Sequence, residues 1–428
     1  MFKSLVDQRQ SARSAESLNR QRGAFSLAQN RRLRHLAAAA LIGTVGGLSV
    51  AGAGHSHTLT PVWGSSKPAA AESRETFQVA SLAVATGRLA DRHVSPAPIR
   101  LQRSTVRNAA AAAARESFDL GLPRASGLPW SSGNACGFAQ FEAHRNRLSD
   151  VYTVFLGRDT RAGVLRRLGG AVLTRHVGRP GRVVVSWPML TKDIAGQFDR
   201  CAAGEFDDYV RSAAQLMGTR GVTNPLIRVG WEPNGRYPWS LGPWPARWPG
   251  YNACFQRQAM IFREELPETL IIWDNRRHTE KSITYSPLNF YPGDEYVDIV
   301  GLMLYDRWPI HPDQAAWDRS LRLLNRGHLK GLDLWYEFAT QVAEKPFALT
   351  EWGVSNNSND PKSFDNPFFI TKVFEWLQAR QETLAYESYF NCSGGYLISA
   401  ATHNPRSSAE YARLYRPGPP PPPPSEAR

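Results

Sequence analysis

Short apolar runs alternate with amphipathic stretches between residues 121 and 416. Short apolar runs bounded by turn residues are typical of buried strands, and apolar residues at the helical period indicate helices. The predicted strands are 127–130, 151–156, 183–187, 226–231, 270–273, 297–305, 347–351 and 384–390. The predicted helices include 206–217, 254–265, 314–324, 334–343 and 369–379.

A repeated strand–helix order predicts a parallel sheet covered by helices, which is an α/β fold. Eight strands over about 300 residues match the size of a (β/α)8 TIM barrel. We therefore expect residues 121–416 to form one barrel domain with its functional site at the carboxyl ends of the strands.

Two flanking regions lack the periodicity of the central part. Arg31, Arg32 and Arg34 precede an apolar stretch, 36–53, which ends in small residues. This layout is typical of a signal peptide within residues 1–53, with an uncleaved membrane anchor as the alternative. The sequence thus predicts a secreted or periplasmic protein, which contacts a membrane only if this segment is retained.

Two further segments are low in complexity. Residues 54–120 are rich in Ala, Ser, Arg and Pro and predict a linker. Residues 417–428 form a Pro-rich tail, which is typical of an extended spacer. We expect neither segment to carry chemistry.

The positive charge is concentrated at the amino-terminal end. The formal net charge is +13, but residues 1–125 hold 17 Lys and Arg against 7 Asp and Glu. The remainder is close to neutral, whereas a groove that binds nucleic acid needs a concentrated basic surface. The balance argues against a nucleic-acid partner.

The four cysteines are widely spaced, which does not match a zinc site. In an exported protein they permit one or two disulfides, with three complete pairings possible. The cysteines are Cys136, Cys201, Cys254 and Cys392. His55 and His57 form a short pair in the linker, and we predict no metal there.

Two glutamates stand at the ends of predicted strands. Glu232 follows the fourth strand, and Glu351 ends the seventh. In a closed barrel these ends lie across the mouth from each other. One protonated and one ionised carboxyl are what a retaining glycoside hydrolase needs, as general acid/base and nucleophile respectively. A salt bridge at the surface is the alternative for either residue alone.

The loop after Glu232 is dense in aromatic side chains. Such a patch is costly to expose unless a ligand covers it, and sugar rings present C–H faces suited to stacking. Core packing is the alternative for each ring taken singly. The residues are Tyr237, Trp239, Trp244 and Trp248.

The segment IRVGWEPNGRYPWS resembles the acid/base motif of glycoside hydrolase family 26, in which Arg, three residues, Glu, one residue and Asn-Gly precede aromatics. FYPGDEYVDIVGLMLYD (290–306) and FALTEWG (347–353) are similar to that family's sixth-strand and nucleophile regions. The resemblance covers about residues 126–414. It implies a clan A barrel, net retention of configuration and activity on β-linked glycans, typically β-1,4-mannans and in some members mixed-linkage β-glucans or xylans. The motif residues are Arg228, Glu232, Asn234, Gly235, Tyr237 and Trp239.

The same resemblance implies supporting roles near the carboxyls. Tyr305 is expected to hold Glu351 ionised, and Arg228 to support the carboxylates from the same strand face as Glu232. Trp231 stands where the family usually has a His that contacts the sugar next to the scissile bond. An indole beside Glu232 is expected to favour its protonated form.

Three tryptophans, Trp273, Trp308 and Trp352, follow or close predicted strands, and we expect them to form walls of the cleft. The loop after the fifth strand offers further groups for sugar hydroxyls, with a solvated loop as the alternative. These groups are Asp274, Asn275, Arg276 and His278.

These observations favour a monomeric endo-acting β-glycanase with a polysaccharide substrate. Carboxyl groups suffice for the proton transfer and the nucleophilic step, so we predict no metal and no cofactor. A noncatalytic carbohydrate-binding barrel and a structural protein that acts through its flanking segments are the alternatives from other classes. The retention of both Glu232 and Glu351 counts against the first of these.

Overall fold

The computed structural model describes residues 120–277, 286–307, 309–325, 328–356, 363–392, 394–399 and 402–416. The expectations for the signal segment, residues 54–119, the Pro-rich tail, His278 and Trp308 lie outside these residues.

Eight parallel strands close into a barrel in the order β1-β10-β9-β6-β5-β4-β3-β2. The barrel confirms the expected (β/α)8 fold class, and the strand order follows the chain except where a small antiparallel pair, β7 and β8, intervenes. The strands are β1 (Ser131–Ala135), β2 (Val151–Phe155), β3 (Arg182–Trp187), β4 (Leu226–Val229), β5 (Leu270–Arg276), β6 (Ile299–Tyr305), β7 (Leu324–Asn325), β8 (His328–Leu329), β9 (Phe347–Gly353) and β10 (Leu384–Phe390).

Helices follow the barrel strands and bury their apolar faces against the barrel, except between β5 and β6, where the described residues form only a short 3-10 turn. They are α1 (Phe138–Arg145), α2 (Arg161–Gly169), α3 (Ala171–Thr174), α4 (Phe198–Ala202), α5 (Asp207–Thr219), α6 (Trp248–Glu265), α7 (Gln314–Leu321), α8 (Leu332–Glu337), α9 (Pro367–Gln378) and α10 (Pro405–Tyr415). A π-helical turn, Phe338–Val342, extends α8, and short 3-10 turns cover Lys192–Ile194, Pro245–Arg247, Pro287–Phe290 and Gln381–Thr383.

The first predicted strand, 127–130, is wrong. Strand β1 begins only at Ser131, and Trp130 instead packs edge-on against Phe374 and Tyr415. The sequence of β1 is SSGNA, which has no β-branched or aromatic residue. The sequence prediction relied on β-branched and aromatic residues, so it placed the strand on the apolar segment that precedes β1.

The barrel interior has an apolar lower layer and a polar upper layer. Val151, Val184, Leu226 and Ile272 belong to the lower cluster, which lies near the amino-terminal ends of the strands. Arg228 and Asp274 lie two and four residues further along their strands than Leu226 and Leu270, and both side chains are completely buried. The polar groups thus lie towards the carboxyl ends of the strands.

All four cysteines form disulfides within the described residues. Cys136, after β1, pairs with Cys392, after β10, and Cys201 in α4 pairs with Cys254 in α6. Of the three possible pairings, the structure has this one. In the part of the chain that the structure describes, no helix is long and apolar enough to cross a membrane.

Candidate active site

A cleft of about 490 Å³ opens at the carboxyl ends of the barrel strands. Both predicted glutamates line it, so the structure brings Glu232 and Glu351 together in one site. The other lining residues are Phe155, Leu156, Arg158, Trp231, Tyr237, Arg276, Arg277, Met303, Tyr305, Arg307, Phe390 and Tyr396.

The chain turns sharply after β4 to place Glu232 in the cleft. Gly230 and Glu232 both have a positive φ, 58° and 50° respectively, and this conformation is rare for glutamate. Gly235 N–H donates to the Glu232 carbonyl at 2.7 Å, which closes the turn. A side chain held in a strained backbone conformation is characteristic of functional sites.

Asn234 fixes this turn to the neighbouring strand instead of lining the cleft. Its amide donates to the Arg276 carbonyl at 2.7 Å and its side-chain oxygen accepts from the Arg276 N–H at 3.0 Å. Asn234 is buried, and it couples the position of Glu232 to the end of β5.

Strand β9 presents Glu351 through a register shift. Leu302 pairs with Leu349, but the next residue of β6, Met303, pairs with Glu351, so Thr350 is an extra residue. A bulge of this kind lets two successive side chains reach the same face of a sheet. Thr350 Oγ1 donates to Asp274 while Glu351 accepts from Arg228, so both side chains contact the polar layer inside the barrel.

Arg228 holds the nucleophile candidate in a buried ion-pair network. Its Nη2 donates to Glu351 Oε1 at 2.6 Å and to Asp274 Oδ2 at 2.7 Å, and its Nη1 donates to Ser186 at 2.9 Å. Tyr305 donates its hydroxyl to Glu351 Oε2 at 2.8 Å. Each carboxylate oxygen of Glu351 therefore accepts a hydrogen bond.

The two glutamates have environments that favour opposite protonation states. Burial, together with the negative charge of Glu351, raises the pKa of Glu232 to about 8. Burial also raises the pKa of Glu351, but Arg228 and the Tyr305 hydroxyl oppose this shift. The nearest cation to Glu232, Arg276, is 3.8 Å away. These environments favour the proton on Glu232 and the negative charge on Glu351.

The aromatic residues near Glu232 separate into two groups. Trp231 and Tyr237 line the cleft, whereas Trp239 is buried behind them and donates its indole N–H to the Trp231 carbonyl at 2.7 Å. Trp239 stacks on Tyr237 with ring centroids 4.9 Å apart. It supports the aromatic wall from behind and does not reach the cleft.

Trp273 and Trp352 do not form walls of the cleft. Both are completely buried on the outer face of the barrel, where Trp273 contacts Trp335 and Phe338, and Trp352 contacts Tyr411. Successive residues of a strand point to opposite faces, and these two positions point towards the helices. The expectation that they bind substrate is wrong for this reason.

Several cleft residues were not predicted from the sequence. Phe155 ends β2 and Arg158 follows it, Arg307 follows β6, and Phe390 and Tyr396 end or follow β10. Their position just after barrel strands is the signal that could have identified them, since the loops there form the site of a (β/α)8 barrel.

No group of three or more His, Cys, Asp or Glu residues that could hold a metal ion occurs among the residues with described positions. Fold and site together define a (β/α)8 barrel with a two-carboxylate cleft at the carboxyl ends of its strands.

No protein-family model matches this sequence, and no curated protein matches it. In structure the chain is similar to glycoside hydrolases of family 26, the family that its motifs resemble. One example is Bacillus subtilis mannanase BCman, which is 17% identical and matches with a TM-score of 0.45 over 66% of this chain and 84% of that chain. Another is a modular Cellulomonas fimi endo-β-1,4-mannanase, which is 15% identical and matches with a TM-score of 0.49 over 66% of this chain and 70% of that chain. A third is the catalytic domain of a Bacillus sp. JAMB-750 endo-β-1,4-mannanase, which is 14% identical and matches with a TM-score of 0.46 over 70% of this chain and 89% of that chain. A shared barrel does not determine activity, so the functional argument rests on the residues of the cleft.

Proposed function

We propose that this protein is a retaining glycoside hydrolase that cleaves β-linked glycans, with Glu232 as general acid/base and Glu351 as nucleophile. The observation that carries the proposal is the pairing, in one cleft, of a carboxyl that keeps its proton at neutral pH with a carboxylate held by Arg228 and Tyr305. Two carboxyls in these two states are what double displacement requires.

In the first step a Glu351 oxygen attacks the anomeric carbon and forms a glycosyl ester. The bond to the leaving oxygen breaks with its electron pair, and Glu232 transfers its proton to that oxygen. In the second step Glu232, now ionised, takes a proton from water. The hydroxide attacks the anomeric carbon, the ester bond breaks, and Glu351 leaves as a carboxylate. The two inversions give net retention.

The substrate class is inferred from the motif resemblance and from the aromatic lining of the cleft. The match around Arg228, Glu232 and Asn234 implies a β-1,4-linked backbone of the mannan type or a related exopolysaccharide. Trp231 replaces the usual His, so the contacts to the sugar beside the scissile bond differ from those of typical members. Trp231 and Tyr237 make this part of the cleft wall aromatic.

Paired substitutions test the roles of the two glutamates. Glu351→Gln is expected to abolish turnover of every substrate, because no nucleophile remains. Glu232→Ala is expected to lose turnover of polysaccharides but to retain it for aryl glycosides with good leaving groups, which need little acid assistance. Exposed Glu382→Gln is the matched control. Equal loss on both substrate types in Glu232→Ala, or an inverted product anomer in NMR, would contradict the assignment.

We also propose that the protein acts outside the cytoplasm, as a monomer. The two disulfides support an oxidising compartment, and the basic and apolar pattern of residues 1–53 supports export. Fractionation of the producing cells, with mass spectrometry of the mature amino terminus, tests the location and distinguishes cleavage from retention of the segment.

A further inference from the structure

Four arginines line the cleft, together with two carboxyl groups. Arg158, Arg276, Arg277 and Arg307 line it together with Glu232 and Glu351. Among the described lining residues there is no Asn or Gln, the amide side chains that commonly bind neutral sugar hydroxyls. The chemistry of this lining fits an anionic ligand better than a neutral one.

Arg158 lies on the aromatic wall beside the general acid/base. Its guanidinium carbon is 4.9 Å above the centroid of the Tyr237 ring, whose other face stacks on Trp239. Both faces of Tyr237 are therefore occupied, and the surface that this wall offers a sugar at that point is a guanidinium. Arg158 itself is exposed, so a ligand in the cleft can reach it.

Arg276 lies close to the Glu232 carboxyl. Its Nη1 is 3.8 Å from Glu232 Oε2, and its backbone is fixed by the two hydrogen bonds to Asn234. Arg158 and Arg276 thus line the same cleft as Glu232, the residue that contacts the scissile oxygen in the proposed reaction.

Arg277 adds a buried cation to the lining of the cleft. It is 3% exposed, and its guanidinium contacts His311 Nε2 at 2.9 Å and donates to the Ser320 carbonyl at 3.1 Å. Burial lowers the pKa of Arg277 to about 10, so it is still charged at neutral pH. His311 is itself held by Asp306 at 2.7 Å, which makes the cation part of a rigid frame. A fixed positive charge in a low-dielectric wall strengthens the field in the cleft.

We propose that the substrate of this cleft is an acidic β-linked glycan, and that Arg158 and Arg276 bind a uronate carboxylate of a sugar next to the scissile bond. The inference rests on the proposed glycoside hydrolase function and specifies its substrate class. The planar guanidinium fork matches the two oxygens of a carboxylate, which a hydroxymethyl group at the same carbon cannot replace.

Matched oligosaccharide pairs test this inference with the full-length protein. Each pair has the same backbone and linkage and differs only in a carboxylate or a hydroxymethyl group at C6. Suitable pairs are β-1,4-mannuronan with β-1,4-mannan, and β-1,4-glucuronan with the corresponding glucan, all as hexasaccharides. The wild type is expected to have a kcat/KM at least about tenfold higher for the acidic member of one pair, the factor that one charge-assisted hydrogen bond provides. This preference should weaken with rising salt concentration.

Arg158→Ala is expected to remove most of that preference, mainly through KM, and Arg158→Lys to restore only part of it because the ammonium lacks the fork. Arg166→Ala, which removes an exposed arginine of α2 outside the cleft, is the matched control and should keep the preference. A sulfated neutral hexasaccharide is a second anionic probe, and inhibition by it as strong as that by the uronate product would overturn the carboxylate assignment.

The two proposals fail in different ways. Turnover of aryl glycosides without an acidic preference in either pair, or with faster cleavage of a neutral member, overturns the acidic substrate and leaves the hydrolase function standing. Absence of turnover on every hexasaccharide and every aryl glycoside overturns the hydrolase function and this inference with it.

Discussion

The hydroxyl of Tyr305 is one of two donors to Glu351, and its removal tests how the carboxylate is kept ionised. Tyr305→Phe deletes the donor without changing the ring. A hydrogen bond to a charged group contributes about 1.5–3 kcal/mol, so kcat/KM is expected to fall about 10- to 100-fold. The loss also raises the pKa of Glu351, so the acid limb of the pH–kcat/KM profile should move to higher pH.

Tyr336→Phe is the control for this variant, because the Tyr336 hydroxyl contacts Thr383 outside the cleft at 2.6 Å. Its pH profile should match that of the wild type. An unchanged acid limb in Tyr305→Phe would mean that Arg228 alone keeps Glu351 ionised.

The raised pKa of Glu232 predicts the alkaline limit of activity. A general acid with a pKa of about 8 keeps its proton as the pH rises to that value and loses it above. The kcat/KM for polysaccharide should therefore decline above about pH 8, whereas turnover of an activated aryl glycoside by Glu232→Ala should show no such decline. A decline common to both would assign the limb to another group.

At the residue scale, the sequence predicted the two carboxyl groups of the cleft but missed Arg158, Arg277 and Arg307. Glu232, Glu351, Arg228 and Tyr305 belong to the sequence motifs, but Glu232 lies in the turn after β4 and not on the strand face that its spacing from Arg228 predicted. Trp352 follows Glu351 directly and points the opposite way, because neighbouring strand residues alternate between faces. Trp352 was expected in the cleft because it is next to Glu351 in the sequence, and this expectation is wrong.

Among the elements, β9 depends on a glycine of its neighbour β6. A Cβ at Gly301 would lie 2.5 Å from Thr350 Cγ2 and 2.7 Å from Asp274 Cβ. Gly301→Ala is therefore expected to displace the bulge that presents Glu351, with a loss of about 1–3 kcal/mol in the free energy of unfolding and a larger relative loss in kcat. Thermal unfolding and kinetics measure the two effects.

Gly169→Ala is the control, because a Cβ there meets no atom closer than 3.9 Å. It should unfold at or above the wild-type temperature. Wild-type kcat in Gly301→Ala would contradict the role given to the bulge.

The bulge and strand β1 are the parts of the barrel that the sequence did not predict. A register shift depends on hydrogen bonds between two strands, and nothing in FALTEWG alone marks Thr350 as the extra residue. In β1, small polar residues are buried because distant groups satisfy them: Ser132, for example, contacts Glu387 of β10 and Arg145 of α1. Long apolar strands such as β6 can be recognised from their own sequence, and they were predicted.

For the molecule as a whole, we predict that stability depends on pH through Glu387, which lies where the last barrel strand, β10, pairs with the first, β1. Burial raises the pKa of Glu387 to about 7, while the Ser132 hydroxyl and the Trp352 indole, which donates at 2.5 Å, oppose the shift. Between the unfolded value of about 4.5 and this value, the folded state keeps a proton that the unfolded state has lost. The contribution of Glu387 to stability therefore declines as the pH rises through this window.

Glu387→Gln keeps the shape of the side chain and removes its charge. The fall in unfolding free energy between pH 5 and pH 8 should then be smaller than in the wild type by up to about 3 kcal/mol. Chemical denaturation at a series of pH values measures this difference, and Glu382→Gln provides the exposed control. Parallel curves for wild type and Glu387→Gln would contradict the raised pKa.

The Cys136–Cys392 disulfide joins positions 256 residues apart, and both glutamates lie between them. A single proteolytic cut in any loop within that span leaves two pieces that are still covalently linked. Such a nicked protein should migrate as one band in nonreducing electrophoresis and as two after reduction. Glu232 and Glu351 would then remain in one covalently linked molecule even where proteases are abundant.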